Sequence, residues 1–271
     1  MNYFTNKQIF YINSNNRLTG THSNFSYYLN IDPNEEFDRV VVLAASIPKS
    51  YYLVDSSYKS FTLQEGVSTV TITFDEGNYT RNGLSIKLQS LLNANSPNDF
   101  SYTVTYKNIS NNADNGKYTI TVSGNGGVQP IIIFTNQMYE QLGFNINSSN
   151  QFTANVLEST NVVNLTNETT LFIHSDICQN NEGNNILQEI YASGEPSYST
   201  ISFSNHATSE YSKKMVTSKS NSYNFYLTDE NGQNINTNGV NINLTIMIYK
   251  KNDIDRMIKG AIKYYAVLSS N

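Results

Sequence analysis

Tryptophan is missing from this 271-residue chain, and cysteine occurs once, as Cys178. A lone cysteine excludes an intramolecular disulfide and points to maturation in a reducing compartment, so assembly in a cytoplasm is expected. Charge is scarce as well: 14% of residues are ionisable acids or bases, and 17 Lys+Arg against 22 Asp+Glu leave a net charge of −5. The basic residues are scattered, and the opening Met1-Asn2-Tyr3-Phe4-Thr5-Asn6-Lys7 carries a single one, which speaks against a direct nucleic-acid partner. No apolar run approaches the roughly 18 to 20 residues that a helix needs to span a bilayer, and the N-terminus lacks a basic-then-apolar leader. Neither a membrane span nor secretion is expected. Alanine and glutamate, both helix formers, are sparse.

What fills their place is valine, isoleucine, tyrosine, phenylalanine and threonine, a β composition in a chain long enough to bury a core without covalent staples. Phe25, Tyr27, Leu29 and Ile31 alternate with polar or smaller neighbours, as one buried face of a strand requires. Residues 39 to 47 are apolar at nearly every position. That predicts a central strand covered on both faces and stopped by Pro48, which has no amide to donate.

From 67 to 157 the texture is that of a small α+β domain inserted between strands, with 1–66 and 158–271 forming the two parts of one β-sandwich. Its predicted strands centre on Val70-Ile72-Phe74, Tyr102-Val104-Tyr106, Tyr118-Ile120-Val122 and Ile131 to Phe134. Leu84, Leu88, Leu91 and Leu92 make one apolar helical stripe with Asn82 placed as its N-cap, and a short helix from Gln137 should end at Gly143 with Phe144 folding back. Beyond the insertion, strands are expected at 162–165, 170–173, 186–190, 199–203, 223–227 and 240–249, with Asn231-Gly232 as a hairpin signal. The final segment reads as an amphipathic helix: Asn252 caps it, and Ile254, Met257, Ile258, Ala261, Ile262 and Tyr265 share one face. That face suits either the chain's own sandwich or a neighbouring subunit.

Candidates for chemistry are few. His174, Asp176 and Cys178 alternate, so on an extended strand they would point one way, but the spacing matches no zinc pattern and a fourth ligand is missing. A Cys178/His174 nucleophile pair lacks an oxyanion nest, and both residues read as part of a strand end running into a loop. His22 and His206 sit in polar, surface-like sequence. The glycine-rich Ser123 to Gly127 links two strands instead of opening a helix, which favours a hairpin turn over a phosphate cradle. Glu35-Glu36 and Asp229-Glu230 lie in turn contexts. No enzyme activity, cofactor or metal is therefore expected. The 20 tyrosines stand out, since tyrosine joins a large apolar body to a polar tip and suits surfaces that become buried on assembly. Tyr28, Tyr52 and Tyr226 are the candidate subunit-interface residues.

Three separated patterns fall in one order: Gly20-Thr21-His22-Ser23-Asn24-Phe25 leading into a strand, a buried strand ending at Ala45-Ser46-Ile47-Pro48-Lys49-Ser50-Tyr51-Tyr52, and Phe225 to Gly232 closing at Ile246 to Lys250. In this the chain resembles the penton (vertex) capsid proteins of virophages and polinton-like viruses. The resemblance covers roughly residues 12 to 66 and 158 to 250, and it implies an all-β fold: a single jelly-roll β-sandwich with the insertion and the C-terminal helix added. It further implies a homopentamer at the icosahedral vertices of a virion, assembled in the host cytoplasm among trimers of a double jelly-roll major capsid protein, with the insertion facing outward. Another minor capsid protein, or a carbohydrate- or receptor-binding jelly-roll module such as a fibre head, is the alternative reading.

Overall fold

A computed structural model describes residues 4–106, 113–166, 170–179, 185–208 and 210–251, the side chains of 4 and 5 excepted. The chain opens with β1 (Phe4–Asn13), β2 (Thr19–Gly20), β3 (Asn24–Tyr28) and β4 (Arg39–Pro48). It continues through β5 (Ser60–Glu65), β6 (Ser68–Thr73), helix α1 (Arg81–Asn95), β7 (Ser101–Thr105), β8 (Thr119–Ser123), β9 (Ile131–Ile133), helix α2 (Met138–Leu142), β10 (Ser149–Gln151) and β11 (Val156–Glu158). It closes with β12 (Thr170–Ser175), β13 (Cys178–Gln179), β14 (Ile186–Tyr191), β15 (Thr200–Ser204), β16 (Lys213–Met215), β17 (Ser222–Thr228) and β18 (Asn243–Lys251). The protein is predominantly β, its named strands pair antiparallel throughout, and they form two compact units.

The first unit comprises Met1–Tyr51 and Glu168–Asn271. Among the described residues its strands build two sheets. One runs β1-β18-β4-β16-β13, with β15 also on β4; the other runs β14-β12-β17-β3-β2. β15 and β16 share one edge of β4, Ser204 opposite Ala44 and Lys213 opposite Val40, so they act as one interrupted strand. Both sheets turn alternate residues into a common core: Val40, Val42 and Ile47 from β4, Ile246 and Ile248 from β18, Leu171 and Ile173 from β12, and Tyr223, Phe225 and Leu227 from β17. The rings of Phe25 and Phe225 stack there at 5.8 Å. Each such side chain, fully withdrawn from water, contributes roughly 1.5–3 kcal/mol. As its apolar run predicts, β4 lies inside its sheet, and Val41 on the opposite side of the strand is buried as well, beside Met247 and Tyr249.

The pairing pattern within this unit is nested. β1 pairs with β18, β3 with β17, β4 with β15 and β16, and β12 with β14. Each pair encloses the next in sequence, as in one long hairpin whose tip is β12–β14. Two further pairings, β18 with β4 and β17 with β12, join the hairpin to itself side by side.

The second unit is Tyr52–Asn167. Its sheets run β10-β9-β5-β6 and β11-β8-β7, and α1 packs on β7 and β6. Leu84, Leu88 and Leu92 reach a core that includes Phe61, Phe134, Tyr118 and Phe152, with Leu91 half-buried at its margin. The unit is larger than the predicted 67–157 for two reasons. β5, assigned by sequence to the first part of the sandwich, pairs with β6 and β9. At the other end, the amides of Val163 and Asn164 donate to the carbonyls of Gly116 and Glu140.

Other local expectations shift. Thr80, not Asn82, caps α1, its hydroxyl accepting from the Gly83 amide at 3.0 Å. α2 does end at Gly143 with φ 74°, and the Phe144 amide donates back to Tyr139. Residues 162–165 form no strand. Asn231-Gly232 makes a tight local reversal, closed by a Thr228–Asn234 bridge, but β17 and β18 on either side belong to different sheets, so no hairpin joins them. The Ser123–Gly127 glycine segment likewise connects strands of different sheets. The predicted C-terminal helix lies outside the described residues.

Candidate functional site

β12 and β17 lie side by side, and the residues that alternate away from the core make a polar-aromatic strip on the outer face of the five-stranded sheet. His174 of β12 sits opposite Tyr226 of β17, and their rings stack at 4.6 Å with 6° between planes. Asn185 Oδ1 accepts from the Tyr226 hydroxyl at 3.2 Å and lies 3.1 Å from His174 Nδ1. That places the imidazole proton on Nδ1 and leaves Nε2, 3.0 Å away, to accept from the Thr228 hydroxyl. Burial sets the His174 pKa below the usual histidine value, ahead of the opposing pull of the Asn185 bond. The ring is thus held neutral, flat and oriented by three neighbours.

The strip leads by way of Phe172, whose ring lies 6.5 Å from that of His174, to a cleft of about 740 Å³. β14 forms one wall, and β15 with the chain that follows it forms the other. Phe203, Tyr191 and Tyr211 give the cleft aromatic surface, and Glu189, His206 and Lys213 give it charge and polarity. Tyr191 is 72% exposed and Tyr211 55%. Sequence reading singled out none of these residues as a site: it took His206 for a surface residue and Phe203 for the end of a strand. The alternation of β14 places Tyr191 outward, but nothing local marks the chain after β15 as the opposite wall.

The candidate interface tyrosines are only partly brought together. Tyr28 and Tyr226 project from the same face of the same sheet, but Tyr28 pairs with Ser222 and Tyr226 with Asn24, four residues apart along the ladder. At about 3.3 Å per residue that separation is roughly 13 Å. Tyr28 is half exposed, whereas Tyr226 is committed to His174 and Asn185. Tyr52 is the first residue of the second unit.

His174, Asp176 and Cys178 do not share a face. β12 ends at Ser175, and the turn that follows sends Cys178 inward, where it is 3% exposed and belongs to the core. Cys178 is therefore a core residue of β13, not part of a loop. Burial pushes its thiol up to about 12, so almost none is thiolate near neutrality. Asp176 instead holds Asn224, accepting from its amide and its side-chain nitrogen at 2.8 Å each. Among the described residues no group of three His, Cys, Asp or Glu side chains is arranged to hold a metal. His22 Nδ1 lies 3.0 Å from the Ser14 hydroxyl and 3.4 Å from Arg17 Nη1.

Fold and site together define an all-β protein of two units whose described surface offers an aromatic, mixed-charge face. No family model and no curated protein matches the chain. Among solved structures, it is similar to the D2–D3 domains of the flagellar cap protein FliD from Escherichia coli, at 10% identity over 82% of this chain and 98% of that one. The TM-score is 0.22, a level at which the likeness assigns neither fold nor function. No described helix is long and apolar enough to cross a membrane.

Proposed function

We propose that the first unit is a single jelly roll and that the chain is the penton subunit of an icosahedral capsid, a non-enzymatic protein that closes five-fold vertices as a homopentamer. The nested pairing supports this reading most directly. A jelly roll is a long antiparallel hairpin wrapped across two facing sheets, and here β1·β18, β3·β17, β4·β15/β16 and β12·β14 are the successive rungs of such a hairpin. The second unit interrupts it between the third and fourth rungs, so the sandwich carries an added domain without loss of a strand. The sequence patterns at Gly20–Phe25 and Ala45–Tyr52 support the same family by resemblance.

A five-fold ring needs head-to-tail contacts, in which one surface of a subunit meets a different surface of the next. The polar-aromatic strip with Tyr226, and the exposed Tyr28 at the far end of β3, suit one side of such a contact. Interfaces of this polar kind are moderate in strength, so the ring is completed by the surrounding double jelly-roll trimers. Co-expression with the candidate major capsid protein, followed by electron microscopy of the shells, tests the assignment. Density for this chain at five-fold vertices is the expected result. Trimeric protein by native mass spectrometry, with vertices filled by another chain, would overturn it in favour of a fibre head or another minor capsid protein.

A further inference from the structure

We infer that the cleft between β14 and the chain following β15 is a saccharide-binding site. It rests on this unit's own geometry and does not depend on the penton reading. Three observations converge on hydroxyl-rich ligands.

The first is the aromatic surface. Tyr191 and Tyr211 line the cleft yet stay 72% and 55% exposed, so broad ring surface remains open to a ligand. The apolar face of a pyranose presents C–H bonds with slight positive charge, and these settle on the electron-rich face of an aromatic ring. Tyrosine does this in a chain without tryptophan, and its hydroxyl adds a polar contact.

The second is the polar set. Glu189, His206 and Lys213 face the same cleft, and none makes a side-chain hydrogen bond or ion pair with another described residue. A carboxylate only accepts and an ammonium only donates. Sugar hydroxyls do both, so one ring satisfies groups of opposite sign in a single site. An aliphatic ligand would strip water from all three and replace none of it. A phosphate would meet Lys213 but also the Glu189 carboxylate on a chain whose net charge is −5.

The third is size. A cleft of about 740 Å³ falls within the range that accommodates small organic ligands and is large enough for a short oligosaccharide. Phe203, half-buried against the core, lines it too, and Phe172 connects it to the His174–Tyr226 stack.

Saturation-transfer difference NMR on the intact protein, with methyl β-galactoside, methyl α-mannoside, N-acetylglucosamine and 3′-sialyllactose as probes, tests this. At least one probe should give a saturable signal. Tyr191→Ala and Glu189→Gln should each weaken it by about tenfold or more, as expected for anchors of a site, whereas Tyr191→Phe and Tyr28→Ala should leave it within about twofold. Glu189→Gln is isosteric and exposed, so its fold is retained even if the larger truncation disturbs β14. Absence of saturable signal from all four probes up to about 10 mM, a concentration that would reveal even millimolar binding, overturns the inference. Binding that survives both Tyr191→Ala and Glu189→Gln overturns it equally.

Discussion

Glu65 is fully buried and wholly committed: the hydroxyls of Ser96 and Tyr102 each donate to Oε1 at 2.7 Å, and the Asn98 amide donates to Oε2 at 2.9 Å. It locks the chain leaving α1 onto β5. Glu65→Ala strands three donors in the second unit's core and should cost about 3–5 kcal/mol, whereas Tyr102→Phe removes one donor and should cost about 1–2 kcal/mol, both read by chemical denaturation. Cys178 should resist a thiol reagent until the protein unfolds, and Cys178→Ser, which places a hydroxyl in the core, should cost about 1–2 kcal/mol. The histidines predict a pH dependence of definite sign. For His22 and His174 burial leads in lowering the pKa, with Arg17 adding to the effect at His22. The unfolded chain then binds protons first, so this stability is complete above about pH 6.5 and is lost as pH falls through the unfolded value toward the folded one. Denaturation midpoints at pH 7.5 and 5.5 should therefore differ less in His174→Gln than in the native protein. None of these roles was legible beforehand. Alternation predicts one face for His174, Asp176 and Cys178, and it fails because β12 stops at Ser175, a decision made by pairing with β14 and β17 rather than by local propensity.

Elements were more legible where the signal is local. The leucine stripe of α1, the run in β4 and the left-handed stop after α2 all depend on neighbours within a few residues, and all three appear as expected. Gly143 has a second reason to be glycine: a Cβ there would sit 2.4 Å from the Asn161 carbonyl oxygen, at a φ of 74°. Gly143→Ala should thus exceed the roughly 1 kcal/mol of a left-handed alanine and lower the unfolding temperature of the second unit by several degrees. Thr80→Ala should cost about 1 kcal/mol through loss of the cap. The misplaced cap at Asn82 shows the limit of reading by type alone, because Thr80 and Asn82 are both good caps, and only the extended backbone of Thr80 (φ −74°, ψ 159°) decides. Gly20 serves the first unit in a similar way, since a Cβ there would meet the Asn24 carbonyl oxygen at 2.2 Å in the turn between β2 and β3.

At the scale of the whole molecule, the insertion was visible as a change in texture, but its start was not, because β5 reads as well for a sandwich strand as for the second unit's sheet. Replacing residues 52–167 with a short Gly/Ser bridge should leave the first unit with a single cooperative unfolding transition, since all its pairings lie outside that span. Loss of cooperativity in circular dichroism melts would count against two independently folding units. The nested hairpin itself was beyond sequence patterning, because alternation identifies strands and not partners. That hairpin also sets an order of events on the ribosome. The second unit is complete once residue 167 has emerged, and it can fold while synthesis continues. β1 and one edge of β4 cannot pair, because both wait for β18, whose first residue, Asn243, is translated about two hundred positions after β4 ends. Until β15 emerges, from Thr200 on, a long apolar strand, Val40 to Ile47, has no native partner on either side, and its second edge stays open until β18 follows, so nascent-chain protection by a chaperone is most needed in the very stretch that ends up innermost. A chain terminated anywhere between 168 and 199 would release a folded insertion tethered to an unpaired β4, a species prone to aggregate.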